Sequence, residues 1–148
     1  GLFAFLREGS MSYYSNDPDC RSKIEEFGMQ AVFAKEQSMG YETIDVSKEN
    51  CGWDITSRKK DGSGMIIDER HIEVKGKGMD SPVVTVSKNE IMYGLNQREK
   101  FILAIVRVNG DVVMQPRYIH EPFTKEPAFD VVSQNFDVEE LLARSKEF

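Results

Sequence analysis

Apolar and polar positions change period along the chain, and the changes mark its elements. From Arg21 to about Met39 the spacing is helical, with Ile24, Phe27, Ala31 and Ala34 on one stripe that Met29, Val32 and Phe33 widen. "NDPDC" (16–20) precedes it, with Asp19 as the expected N-cap, and Gly40 suits its end. "YETIDVS" (41–47) then alternates like a strand. "WDITSRKK" and "MIIDERHIEVKGK" predict two further strands, joined as a hairpin across "DGSG" (61–64).

"VVTVS" (83–87) reads as a fourth strand and "KNEIMYGLNQREK" as a helix with Ile91 and Leu95 inward. Ser87 as N-cap and Glu90 three residues on have the spacing of a capping box. "FILAIVRV" (101–108) is almost continuously apolar, as expected of a strand covered on both faces. "VVMQPRYIH" is expected at a sheet edge, because Pro116 cannot serve a central ladder. "EPFTKEPAF" reads as a loop and "NFDVEELLARSKEF" as a short terminal helix, with Asp137 and Glu140 spaced as a capping-box variant. The order predicts an α+β fold: a three-layer sandwich, with a central mixed sheet flanked by helices.

The 148 residues fit one domain, placed at 19–148, with 1–18 set aside as a tail, linker or cloning remnant because of "GSM" at 9–11. No run approaches the ~18 apolar residues of a membrane span, and "GLFAFL" is too short and lacks the basic start of a secretory signal. Cys20, Cys51, His71 and His120 form no zinc-type pair, and reduced thiols in a cytoplasmic protein are the expectation. The net charge of −6 argues mildly against non-specific nucleic-acid binding by the whole surface. Yet residues 58–77 hold six basic side chains against four acidic ones.

The third strand carries the candidate chemistry. With Ile72 and Val74 facing a core, Glu73 and Lys75 share the other face, ~6–7 Å apart along the strand. Asp54, between Trp53 and Ile55 in the preceding strand, is expected beside Glu73. Two carboxylates this close stay ionised when a cation lies between them, and hard oxygen donors suit Mg²⁺. A lysine beside them can orient water or steady charge on a phosphate. Glu-x-Lys alone is equally an ordinary solvated strand face. Glu36 sits on the apolar side of the first helix, where a lone carboxylate is costly unless paired or metal-linked. His71 is expected to be exposed, and Trp53 to belong to the core.

The strings "GWDITS", "IEVKGKG", "VTVSKNEIMYGLN", "KFILAIVRV", "YIHEPF" and "EPAFDVVSQNFDVEELLAR", with Met29, Glu36 and Gly40 in an M-x6-E-x3-G pattern, resemble the NO VEIN-type C-terminal domain. The resemblance covers most of residues 21–146. It implies a restriction-endonuclease-like fold of the PD-(D/E)XK superfamily, in a domain of unknown function that commonly ends large bacterial or archaeal helicase-like ATPases, some linked to phage defence. Trp53 stands where that motif usually has proline.

Carried over, the resemblance implies a Mg²⁺- or Mn²⁺-dependent endonuclease acting on DNA. Asp54, Glu73 and the Val74 carbonyl would hold the metal, and Lys75 would position the water. Glu36 would take a metal-bound water or an outer place. Glu90 would support the cluster from outside, and Lys59, Lys60 and Lys77 would contact phosphates. The alternative is a nuclease-type fold that binds DNA or protein without cutting.

Overall fold

The structure, a computed structural model, describes residues 18–148. The suggestion of a tail or cloning remnant at the N-terminus falls almost wholly outside that range. The first helix, α1 (Pro18–Ser38), has proline in its opening turn, where the missing N–H costs nothing. Asp19 therefore lies inside the helix instead of capping it.

The buried line of α1 runs Cys20, Ile24, Gly28, Val32 and Glu36, one residue every fourth position. This corrects the broader stripe through Phe27, Ala31 and Ala34, the last of which is exposed. The reason is a close approach of two backbones. A Cβ at Gly28 would lie 3.2 Å from the Gly76 Cα, and one at Gly76 would lie 2.5 Å from the Ile24 carbonyl oxygen. A helix seated this low on a sheet buries a narrow line of residues.

The main sheet has the order β1 (Glu42–Asp45), β2 (Ile55–Lys60), β3 (Ile66–Gly78), β5 (Phe101–Asn109), β6 (Val112–Val113). β1, β2 and β3 are antiparallel. β3 and β5 are parallel, from His71 opposite Phe101 to Gly78 opposite Val108. A parallel pair needs a crossover; here β4 (Val83–Ser87) and α2 (Lys88–Asn96) provide it. The expected single strand around Pro116 is two, β6 and β7 (Arg117–His120), both antiparallel to β5.

β4 pairs with β8 (Ser133–Asp137) in a second, two-stranded sheet. β8 was not expected: only Phe136 in "SQNFD" is apolar, so no alternation marks it. The terminal helix, α3, is correspondingly short (Val138–Ala143). Asp137 is its N-cap residue but makes no side-chain cap bond; the Val138 amide donates to the Pro82 carbonyl at 2.9 Å instead. At α2 the expected capping box is present, with Ser87 accepting from the Glu90 amide and Glu90 accepting from the Ser87 amide.

Two cores cover the two faces of the sheet. On one, Val32 of α1 meets Ile55, Ile72, Val74, Ile102, Ala104 and Tyr118. On the other, Leu103 and Ile105 meet Ile91 of α2, Val84 and Val86 of β4, and Val138 and Leu141 of α3. The molecule is thus α+β with a mixed sheet and, among the described residues, three helices.

Candidate functional site

The candidate site forms where β2 and β3 part. Ile55 pairs with Ile72, and one step earlier the Asp54 amide donates to the Ile72 carbonyl at 2.9 Å. β2 ends there while β3 continues to Gly78, still paired with β5 on its other edge. The freed edge does not go unused, since the Val74 amide donates to Asp54 Oδ2 at 2.9 Å. That bond holds the Asp54 carboxyl against β3, on the side of Glu73. Glu73 and Lys75 alternate with Ile72 and Val74, so they face away from the α1 core.

Lys75 Nζ lies 3.2 Å from both Glu73 Oε2 and Glu90 Oε1. Glu90 thus serves two ends, accepting from the Ser87 amide at the cap and pairing with Lys75. Three carboxyls share one ammonium, and the electrostatics show it. Burial first, then the Asp54 charge, pushes Glu73 up to about 9 against the pull of Lys75. Burial also raises Asp54, opposed by the Val74 amide and Lys75. Of this pair, Glu73 holds the proton. Burial works against the Lys75 ammonium, but Glu73 and Glu90 together more than reverse it and leave its pKa raised.

A cleft of about 390 Å³ opens beside the cluster, lined by Asp54, Glu73, Lys75 and Lys77, with Glu25 and Met29 of α1 and Thr85 of β4. Among the described residues no three His, Cys, Asp or Glu side chains are arranged to cage a metal as they stand. The donors fit a cation that keeps waters and takes only one or two carboxylates, as Mg²⁺ does. Asp54, Glu73 and Val74 line the cleft and would be the groups to hold it.

Glu36 is elsewhere. It accepts from Ser57 Oγ and Tyr118 Oη, each at 2.7 Å, and its Oε1 lies 3.4 Å from Arg70 Nε. Ser57 and Arg70 are paired on the α1 side of the sheet, opposite the side of Glu73 and Lys75. The expected convergence of Glu36 on the cluster is corrected accordingly: it is a buried carboxylate spent on tertiary hydrogen bonds. The α1 acid that lines the cleft is Glu25, exposed and one turn before Met29. Both acids lie on α1, but Glu36 is on the line that packs against the sheet and Glu25 is not.

The three candidate phosphate lysines divide. Lys77 lines the cleft. Lys59 and Lys60 lie at the hairpin end of β2, about 16 Å along the strand from Asp54. There Lys60 pairs with Glu42 at 3.2 Å and Lys59 sits over the Tyr41 ring.

His71 is buried, not exposed. Its Nδ1 is 2.5 Å from Tyr93 Oη and its Nε2 is 2.6 Å from Glu69 Oε2. Its ring stacks on Trp53 at 4.4 Å, as does that of Tyr93. Burial lowers the His71 pKa despite the Glu69 carboxylate. This aromatic group braces the Gly52–Asp54 turn against α2. A Cβ at Gly52, where φ is +104°, would lie 3.0 Å from the Tyr93 Cβ.

The family profile described as "Protein NO VEIN, C-terminal" matches residues 24–119. That span holds α1 from Ile24, the whole main sheet except the last residue of β7, and every residue of the cluster. The chain belongs to the NO VEIN C-terminal family. No curated protein and no solved structure matches it. The NO VEIN C-terminal match stops before β8 and α3, which pack with β4 and α2 on the face of the sheet opposite α1.

Proposed function

We propose that this NO VEIN C-terminal domain is an accessory module of a larger helicase- or ATPase-type protein and cleaves DNA with a divalent metal. The supporting observation is the convergence of Asp54, Glu73 and Lys75 at the open fork of β2 and β3. This is the arrangement expected of a PD-(D/E)XK nuclease, and a role in defence against foreign DNA goes with that reading.

A bound Mg²⁺ or Mn²⁺ would polarise the phosphoryl oxygen and make its water more acidic. The chain's own residues do the rest. Asp54 is held against β3 by the Val74 amide, at the edge of the cleft. Glu73 must lose its proton before it can bind a cation. Lys75, kept protonated by Glu73 and Glu90, has no lone pair and cannot be the base. It donates hydrogen bonds that orient the attacking water or steady charge growing on the phosphate. The water oxygen would bond to phosphorus as the bond to the leaving oxygen breaks, its proton passing through solvent in the cleft to the departing oxygen.

The rival reading is a module that binds DNA or protein without cutting. The net charge of −6 favours it, as does a Lys75 already tied to two carboxylates. Purified protein incubated with plasmid, linear and single-stranded DNA in Mg²⁺ or Mn²⁺ separates the two. Cleavage lost in both Asp54→Ala and Lys75→Ala supports the nuclease. Cleavage that survives both substitutions would sink it, and binding without cleavage favours the rival.

A further inference from the structure

The cleft beside the cluster has a neighbour. A second hollow of about 340 Å³ shares Glu25, Gly76 and Lys77 with it and continues along the free edge of β3 to Arg21, Asp80 and Ser81. The two make one trough, with the carboxylate cluster at one end. At the other end stand two cations, Arg21 from the first turn of α1 and Lys77 from β3. Neither forms an ion pair among the described residues.

The main chain adds donors there. The His71 amide points toward the β5 side, to the Lys100 carbonyl, whereas the Val74 amide points toward Asp54. By the alternation of a strand, the amides of Gly76 and Gly78 point to the same edge as that of Val74. No strand covers that edge beyond Asp54.

Lys77 follows Lys75 on the same strand face, ~6.6 Å further on. That is close to the spacing of successive phosphates in an extended strand. Burial, then the charge of Lys75, pulls the Lys77 pKa down against the Glu25 carboxylate. The acids in the hollow are both exposed: Asp80 follows the end of β3, and Glu25 lines the wall shared with the metal-binding end.

We infer that Arg21, Lys77 and the Gly76 and Gly78 amides form a subsite for a second backbone phosphate, one nucleotide from the bond that is cut. The inference rests on the nuclease reading and narrows its substrate to a polynucleotide. A phosphomonoester or a free mononucleotide leaves the subsite empty.

The test is the affinity for a single-stranded oligonucleotide as salt is varied, with Ca²⁺ replacing Mg²⁺ to prevent turnover. The proteins are wild type, Arg21→Gln/Lys77→Gln and Asp54→Ala, each first shown to fold by circular dichroism. The loss of one neutralised phosphate should reduce the slope of log affinity against log salt by about 0.7 in the double variant. Replacing the charged linkage beside the scissile one with a neutral methylphosphonate should weaken wild type and leave the double variant unchanged. Inorganic phosphate should compete only weakly, since it fills one half of the trough. An unchanged slope in the double variant, with wild type binding well and Asp54→Ala impaired, overturns the subsite and leaves the nuclease reading standing. Wild type that binds no nucleic acid at any salt overturns both.

Discussion

Glu36 and Glu73 are both buried, at 0% and 4% exposure, on opposite faces of one sheet, and they are solved differently. Glu36 meets donors: a serine hydroxyl, a tyrosine hydroxyl and the Arg70 guanidinium, itself between the Tyr41 and Tyr118 rings. Burial and the Glu36 carboxylate raise the Tyr118 pKa, so that hydroxyl stays a donor. Glu73 meets two more carboxyls and a lysine that is shared. A buried acid with all its bonds made is part of the scaffold. One crowded by its own kind, beside an open cleft, is spending stability on a site that a cation would complete.

The largest effect that would break this contrast is at Glu36. Glu36→Ala leaves the Arg70 guanidinium buried without a counter-charge, and its Nε and Nη2 already lack hydrogen-bond partners. Chemical denaturation should show a loss of about 3–5 kcal/mol. Glu73→Gln, equally buried, should cost nothing or stabilise at neutral pH, because it removes the cost of holding a proton that the unfolded chain has given up. Equal losses at the two positions would mean that the two acids are not different in kind.

Gly76→Ala comes next and probes the seat of α1 between the two regions. Its Cβ would press on the Ile24 carbonyl. Thermal unfolding should report about 1–3 kcal/mol of destabilisation, with metal-dependent cleavage falling alongside. Full stability in this variant would show that α1 is free to ride up.

The third effect is in pH. Glu73 has a folded pKa of about 9 against an ordinary 4.5, so the fold favours the protonated form. Its contribution is complete below about pH 4.5 and is lost as pH rises to about 9, where the unfolded chain has given up a proton that the folded chain keeps. Asp54 acts in the same direction. The metal-free protein should therefore lose stability across that window, by at most about 1.4 kcal/mol per pH unit for one proton. Glu73→Gln should flatten the slope, and millimolar Mg²⁺ or Mn²⁺ should oppose it. The smallest expected effect is Glu90→Gln, which keeps a cap acceptor and loses one charge beside Lys75; a stability change under about 1 kcal/mol is expected, with a fall in the Lys75 pKa visible by NMR.

Much of the scaffold is legible in the sequence because its signals are local. "DGSG" between alternating runs marks the β2–β3 hairpin, and the apolar run at 101–108 marks the doubly covered β5. Asp54, Glu73 and Lys75 could be placed on one face because strand period and hairpin register are short-range facts. Glu36 was legible as a carboxylate that needed partners. Which partners was not, since Tyr118 is 82 residues away and the pairing exists only after the sheet forms. His71 was misplaced for a similar reason: nothing near it announces Tyr93 or Trp53 as its cover. β8 was hidden because it is a polar strand at the margin, held by backbone pairing with β4.

The glycine contact between α1 and β3 has a consequence for when the site exists. Gly28 and Gly76 lie far apart in the chain, and β1, β2 and the hairpin turn must be in place between them. Closing so long a loop is slow, and local elements form ahead of it. A nascent or partly unfolded chain therefore carries all the charges of the site without the trough that gives them meaning. The site waits on topology, and a chain that has lost its fold has lost its trough as well.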